Sequence, residues 1–269
     1  MSSRDELPAA NGDTRETDFV QSLQRGLAVM RAFDAENPAL TLSEVARKTG
    51  LARAAARRFL LTLVELGYMR VDDRRFSLTP RVLELGHSYL SSLTLPEIAL
   101  PYLRDFVSEI RESSSLSVLD EHQIVYVARV PANRIMSISI SVGTRFPAYA
   151  TSMGRVLLAG QDDAWLDEYA GCAELSAITA RTITKPKALL AEIRRVREQG
   201  WALVDQELEE GVRSVAAPIH GPDGRVAAAV NVSVHATRWS VETLQGELLP
   251  KLLETAKAID RNARAAARA

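Results

Sequence analysis

The sequence predicts two folded parts of different class: a helical N-terminal domain closed by a β-hairpin, and a larger C-terminal α+β domain. Three observations predict it. Residues 42–61, LSEVARKTGLARAAARRFLL, read as two short helices broken at Gly50. A strand–turn–strand pattern follows at once over residues 68–78. Beyond residue 95, short apolar runs of strand length are interleaved with helical patterns, and the 269-residue chain is long enough for two domains.

The polar, acidic segment 1–18 lacks the apolar core of a signal peptide and is expected to be a disordered arm. Phe19 to Phe33 reads as the first helix, with Leu23, Leu27 and Met30 expected to pack under the next two. Ser43 is a candidate N-cap for the second helix, with Glu44 favouring its positive dipole end. Gly50 suits the left-handed residue after its last turn. The third helix runs from about Ala52 to Leu66. Its spacing places Ala55, Ala56, Phe59, Leu63 and Leu66 on one side, and Arg53, Ala54, Arg57 and Arg58 on the other. Tyr68 to Val71 and Phe76 to Leu78 then read as a hairpin, with Arg74 and Arg75 at its tip.

Two helices, an arginine-bearing helix and a following hairpin make a winged helix-turn-helix over residues 19–79. Small alanines beside three arginines would let the helix enter a major groove, where arginine reads guanine by two hydrogen bonds. An amphipathic surface helix with merely solvated arginines fits the third helix alone equally well. Charge separates the two: residues 47–75 hold eight Lys or Arg against three acids, in a chain of net charge −1. A basic footprint confined to one module points to duplex DNA. The expected DNA contacts are Arg53, Ala54, Arg57 and Arg58 in the groove, and Ser43, Arg74 and Arg75 on phosphates.

Residues 80–94 read as a linker helix with Pro80 at its first position. Leu95-Pro96 and Leu100-Pro101 punctuate the entry to the second domain (95–269), and a helix is expected from about Tyr102 to Arg111. Ser115 to Leu119 and Ile124 to Val130 read as a hairpin. Met136 to Val142 alternates apolar and serine residues, as a strand with one polar face would. A helix begins near Ser152, and another spans Lys187 to Gln199. Trp201 to Val204, Val212 to Ile219 and Val226 to Val234 read as strands, and Val241 to Arg264 as a last helix with a kink at Pro250.

Composition excludes several classes. With 46% hydrophobic and 25% charged residues, the chain resembles an ordinary soluble protein, and no apolar run approaches the roughly 20 residues of a membrane span. One cysteine, Cys172, excludes an intramolecular disulfide, fits a reducing cytoplasm and reads as inert packing. The four histidines show no zinc-ligand spacing, and neither metal nor cofactor is expected. Ser152 at a helix start resembles a nucleophile, but no Gly-x-Ser-x-Gly or nearby histidine accompanies it, so no enzyme is expected.

Two further segments identify the chain as similar to a family. AYATSMGRVLLAG (148–160) resembles the signature Ala-x-x-x-Gly-[Lys/Arg]-x-x-Leu-Ala of IclR-type transcriptional regulators. VDQELEEGVRSVAAPI (204–219) resembles their second signature, an acidic cluster followed by Gly-x-Arg-[Cys/Ser]-[Ile/Val]-Ala-x-Pro. The likeness covers roughly residues 19–260. Stretches such as ARAAARRFLLTLVELGY and DQELEEGVRS are similar to the Pca and Pob regulators of aromatic acid catabolism. That resemblance implies a GAF-like effector domain, a homodimer or dimer of dimers, a double-stranded operator, contact with RNA polymerase, and an effector such as β-ketoadipate, protocatechuate or 4-hydroxybenzoate. Carried over motif by motif, it implies an effector site of Ser152, Met153 and Gly154 at a helix N-terminus, with Asp205, Ser214, Asn231 and Ser233. Asn231 departs from the serine usual at that position, which implies a ligand of different shape or hydrogen bonding.

A helix N-terminus suits a carboxylate in its own right, and an acid also wants a cation. Arg134, Arg145, Arg155 and Arg213 are candidates; Arg155 is favoured, with a structural salt bridge to Asp205 or Glu207 as the equal alternative. Tyr149 is a candidate for stacking on an aromatic effector, or for packing. Two other readings stand beside this one: a regulator of another small-carboxylate pathway, and a DNA-binding protein without ligand. Activation and repression are both compatible with the sequence.

Overall fold

The computed structural model describes residues 19–91, 94–132, 140–221 and 223–266. The arm expected over 1–18, Arg134 and most of the strand expected over 136–142 lie outside them. The chain divides into two compact units between Tyr89 and Leu90.

In the N-terminal unit, α1 (Gln21–Arg31), α2 (Leu42–Thr49) and α3 (Arg53–Glu65) surround a small core. Val29, Val45, Leu60, Leu63, Met69 and Phe76 fill it. Beside them lies an antiparallel sheet of order β1–β3–β2, formed by Leu40–Thr41, Arg75–Leu78 and Met69–Asp72. The helix-turn-helix and its hairpin are therefore present as expected. Gly50 has φ 67°, and the chain leaves α2 through it because only glycine enters that region at no steric cost.

Three details differ from expectation. The N-cap of α2 is Thr41, not Ser43: Thr41 Oγ1 accepts from Glu44 N, while Thr41 N donates to Glu44 Oε2 at 2.7 Å. Thr41-x-x-Glu44 completes a reciprocal capping box, which Ser43 has no acid at the right spacing to form. Leu60 is buried where Leu66 was expected, because Leu66 lies just past the last residue of the helix and is half exposed. Leu23 and Leu27 are 63% and 48% exposed rather than packed; with Phe19 and Val20 they leave an apolar stripe on α1 open.

Pro80–Val82 forms a single 3-10 turn, followed by α4 (Leu83–Ser91). In the C-terminal unit, α5 (Thr94–Ile110) begins eight residues earlier than the proline pattern suggests. Pro96 sits in the first turn, where no N–H is needed, and Pro101 is accommodated inside the helix. The centre of the unit is a six-stranded antiparallel sheet of order β6–β5–β4–β9–β8–β7. Its strands are β4 (Ser113–Asp120), β5 (Gln123–Val130), β6 (Arg145–Pro147), β7 (Ala202–Asp205), β8 (Val212–His220) and β9 (Val226–His235). Among the described end of the Met136–Val142 segment, residues 140–142 are not strand.

The two faces of this sheet differ in chemistry. Val230, Val232 and Val234 of β9, with Val215, Ala217 and Ile219 of β8 and Leu116 of β4, pack against α5 and α10 (Leu249–Ala266) in an apolar core. The opposite face is covered by α6 (Ser152–Ala159), α7 (Asp163–Cys172) and α8 (Pro186–Gln199). A short α9 (Val241–Thr243) leads into a π-helical turn over Leu244–Leu248 before α10. Pro250 has no N–H to give, so the break in the hydrogen-bond ladder falls just ahead of it, where a kink was expected. Cys172 is exposed rather than packed, with Sγ 3.6 Å from His122 Nε2.

Candidate DNA-reading face and effector cavity

On α3, Arg53, Ala54, Arg57 and Arg58 are all exposed, while Ala56, Leu60 and Leu63 point inward. Among the described residues, the guanidinium groups of Arg53, Arg57 and Arg58 have no side-chain or backbone partner. Nearby cations are committed: Lys48 to Asp34, Arg70 to Ser77, and Arg81 to Leu66 O and Glu84. In the hairpin, Asp73 and Arg74 have φ 47° and 65°, the paired positive angles of a tight type I′ turn. Arg74 is the tip. Arg75 is not: it opens β3, its Nη1 donates to Ala39 O at 3.1 Å, and it lies 3.9 Å from Glu44. Ser43 is exposed on the first turn of α2.

The second site lies on the α6 face of the large sheet. Alternation sends the even residues of β9 into the apolar core and the odd ones, Ala229, Asn231 and Ser233, toward α6. On β4 the same alternation turns Ser113, Ser115 and Ser117 that way, and on β8 Ser214. Register then builds two polar rows. Ser113, Ser233 and Ser214 stand side by side across β4, β9 and β8. In the next row, Arg129 of β5 faces Ser115, which faces Asn231.

Hydrogen bonds link these rows. Arg129 Nη1 donates to Ser115 Oγ at 3.2 Å. Asn231 Oδ1 accepts from Ser115 N, and its Nδ2 donates to Ser233 Oγ at 3.0 Å. Ser152, at the start of α6, shares a 2.9 Å hydrogen bond with Ser214. A cavity opens above, lined by Tyr126, Ile140, Ser152, Met153, Leu208, Glu209, Ser214, Asn231 and Ser233 among others. Ser152, Met153, Ser214, Asn231 and Ser233 of the expected site are therefore brought together.

The other four are near but engaged elsewhere. Gly154 serves packing: a Cβ there would stand 2.1 Å from Ala148 O and 2.5 Å from Thr151 Oγ1. Thr151 caps α6 by accepting from Gly154 N. Tyr149 hydroxyl donates to Ser176 O, which turns the ring to packing. Asp205 holds Arg213 at 2.7 Å and Arg181 at 2.9 Å, and despite the opposing cost of burial these partners keep its carboxyl below the usual range.

Arg155 is 1% exposed. Its Nε donates to Tyr149 O and its Nη2 to Glu207 Oε2 at 2.5 Å, with Glu192 at 3.9 Å. Glu207 also accepts from Ile183 N. The cation favoured from sequence is thus a structural ion pair; a neutralised, enclosed guanidinium is not available to a ligand. Of the other candidates, Arg145 pairs with Asp120 and Gln123, and Arg213 with Asp205 and Trp239 O. Sequence reasoning missed Arg129, Tyr126 and the serines of β4. The signal was present in Ser113, Ser115 and Ser117, whose period of two marks a polar strand face.

Comparison with known proteins places this arrangement. Residues 22–73 match the IclR helix-turn-helix domain, and residues 87–261 match the domain described as Bacterial transcriptional regulator IclR C-terminal. The Pca regulon regulatory protein of Pseudomonas putida is 47% identical over 245 residues, covering 91% of this chain and 84% of that protein. The p-hydroxybenzoate hydroxylase transcriptional activator of Acinetobacter baylyi is 36% identical, covering 93% and 94%. Among solved structures, a transcriptional regulator of Rhodococcus sp. RHA1 is 56% identical with a TM-score of 0.83, covering 92% of this chain and all of that one (100%). An IclR homologue of Microbacterium hydrocarbonoxydans, solved with 4-hydroxybenzoate, is 26% identical with a TM-score of 0.79 and covers 91% and 99%. A winged helix-turn-helix with a free arginine face, joined in one chain to a sheet with a polar, helix-covered cavity, belongs to the IclR family of transcriptional regulators.

Proposed function

We propose that this protein regulates genes of aromatic acid catabolism by binding an operator through α3 and an aromatic acid in the cavity under α6. The observation that carries the reading is the cavity itself. Ser152, Ser214, Asn231 and Ser233 line it, with Ser115 bonded behind Asn231, over a sheet whose other face is apolar. Ligand sites in proteins are of this kind, with a few placed polar groups in an apolar setting. Relatives named for the Pca regulon and for p-hydroxybenzoate hydroxylase support the pathway, and a structural neighbour holding 4-hydroxybenzoate supports the ligand class.

On the DNA side, Arg53, Arg57 and Arg58 with Ala54 enter the major groove, and Ser43 and Arg74 contact phosphates. Arg75 serves mainly to fasten the hairpin to α2. The protein acts in the cytoplasm as a dimer or dimer of dimers, and the open apolar stripe of α1 supports self-association. Effector binding shifts the population between arrangements of the paired winged domains that fit the operator differently. Relatives named as transcriptional regulators support a regulator, and the Ser152 hydroxyl, bonded to Ser214, serves in the cavity wall.

Titration with 4-hydroxybenzoate and protocatechuate, read by melting temperature and by operator affinity, tests the proposal. A response of both to one of these acids is expected. No response to either, with a response to an aliphatic carboxylate, overturns the pathway while leaving a regulator.

A further inference from the structure

We infer that Arg129, with the Tyr126 hydroxyl beside it, is the anchor for the carboxylate of an aromatic acid effector, which lies across the sheet toward Ser214 and Ser152. The inference rests on the effector reading above and adds which end of the ligand goes where.

Arg129 stands out by what it lacks. Its side chain is partly buried on the α6 face of the sheet, it meets Ser115 Oγ and the nearby Tyr126, and no carboxylate is paired with it among the described residues. Burial pulls the pKa of this guanidinium down, the mark of a charge taken from water without a counter-charge. Tyr126 is 4% exposed and lines the cavity, yet among the described residues its hydroxyl has no hydrogen-bond partner. Burial pushes its pKa up to about 12, partly offset by the Arg129 charge, so at neutral pH it is an uncommitted donor. A cation without an anion and a phenol without an acceptor, on one strand and one face, together ask for an oxyanion.

The opposite end of the cavity asks for something else. On the β8 side it holds the hydroxyls of Ser152 and Ser214. Sharing one hydrogen bond, these hydroxyls suit a phenolic OH. Arg129 on β5 and Ser214 on β8 are three strand spacings apart, about 14 Å between backbones. Tyr126 is on the cavity wall with Arg129 beside it, and the open volume is about 40 Å³. A benzene takes roughly 150 Å³, so Met153 and its neighbours shift to admit a ring. Arg129 thus fills the role that Arg155, held by Glu207, is not free to fill.

The test uses calorimetric titration of the full-length protein with 4-hydroxybenzoate and with its uncharged isostere 4-hydroxybenzamide. Wild type is expected to prefer the acid. Arg129→Gln is expected to lose about 10-fold to 100-fold in affinity for the acid and to change little toward the amide, as removal of a charge-assisted contact does. Arg129→Lys should recover part of the preference, and Tyr126→Phe should weaken the acid more than the amide. Melting of each unliganded variant confirms that it is folded; should Arg129→Gln not fold, Arg129→Lys and Tyr126→Phe carry the same comparison. If wild type binds the acid and folded Arg129→Gln binds it within twofold, the assignment is overturned while the effector reading stands. If instead Ser152→Ala and Ser214→Ala abolish the preference for acid, the carboxylate sits at the start of α6 and the assignment is likewise overturned. If wild type binds neither compound, the aromatic effector reading falls, and this assignment with it.

Discussion

Glu207→Gln tests the claim that Arg155 is structural. The Arg155–Glu207 pair is nearly enclosed, with side chains 2% and 10% exposed. Removing one partner of a buried pair strands the other charge and costs about 3–5 kcal/mol. Here Glu192 already lies 3.9 Å from Arg155 and can take part of the charge, which places the expectation near the lower end, about 3 kcal/mol. For a unit of this size each kcal/mol moves the melting temperature by about 2–4 °C, so a fall of roughly 6–12 °C is expected. Arg155→Met alone should cost a similar amount, because Glu207 then keeps only Ile183 N as a donor. The double variant Arg155→Met/Glu207→Gln should recover most of the loss, since a neutral pair of similar volume leaves no unpaired charge. Circular-dichroism melting of the four proteins closes the cycle, and calorimetry with 4-hydroxybenzoate supplies the second readout. A cost below 1 kcal/mol for Glu207→Gln would refute the buried-pair argument. A folded double variant with effector affinity lowered tenfold would show that Arg155 touches ligand after all.

Three other outcomes are expected. Arg57→Ala should weaken operator binding by about 1–3 kcal/mol and random DNA much less if Arg57 reads a base; equal losses on both, measured by fluorescence anisotropy, would assign it to phosphate. Gly154→Ala should destabilise by about 3 kcal/mol, the upper end for overpacking, because its Cβ would meet the fixed backbone of Ala148 at 2.1 Å; an unchanged melting temperature would show that α6 can move. Tyr126 should ionise near pH 12 in an ultraviolet titration. Its folded pKa lies above the ordinary tyrosine value of 10.0, so it opposes folding only as pH rises from there toward 12, and Tyr126→Phe should remove that part of the alkaline instability.

What the sequence made legible and what it hid divide along physical lines. Local rules sufficed for the helix-turn-helix. Gly50 needs a left-handed conformation, and the third helix sorts its arginines from its leucines by angle alone. At α2 the fuller cap signal is Thr41 with Glu44 three residues on, which Ser43 lacks. Periodicity also found five of the six strands of the larger sheet; β6, three residues long, is too short to show one. It failed where proline argued for a boundary, because the first turn of α5 has no use for the N–H that Pro96 lacks. Leu23 and Leu27 follow a helical period yet remain exposed, since period reports one apolar face and not what covers it.

The effector site shows a sharper limit. Ser214, Asn231 and Ser233 were placed by motif, and the register of β4, β8 and β9 explains why they meet. No spacing rule distinguishes Arg155 from Arg129, however. Each lies in an apolar stretch, and each would serve an acid equally well on paper. The difference is made by Glu207, which is 52 residues from Arg155 in sequence and 2.5 Å away in space. A buried guanidinium that has found its carboxylate belongs to the fold, and one that has not is left for a ligand. That distinction requires the whole topology: β7 and the loop after it must return beside α6 to deliver Glu207, while β5 pairs with β4 and so faces Arg129 with a serine rather than an acid. The same sheet order that builds the polar rows therefore decides which positive charge remains for a ligand.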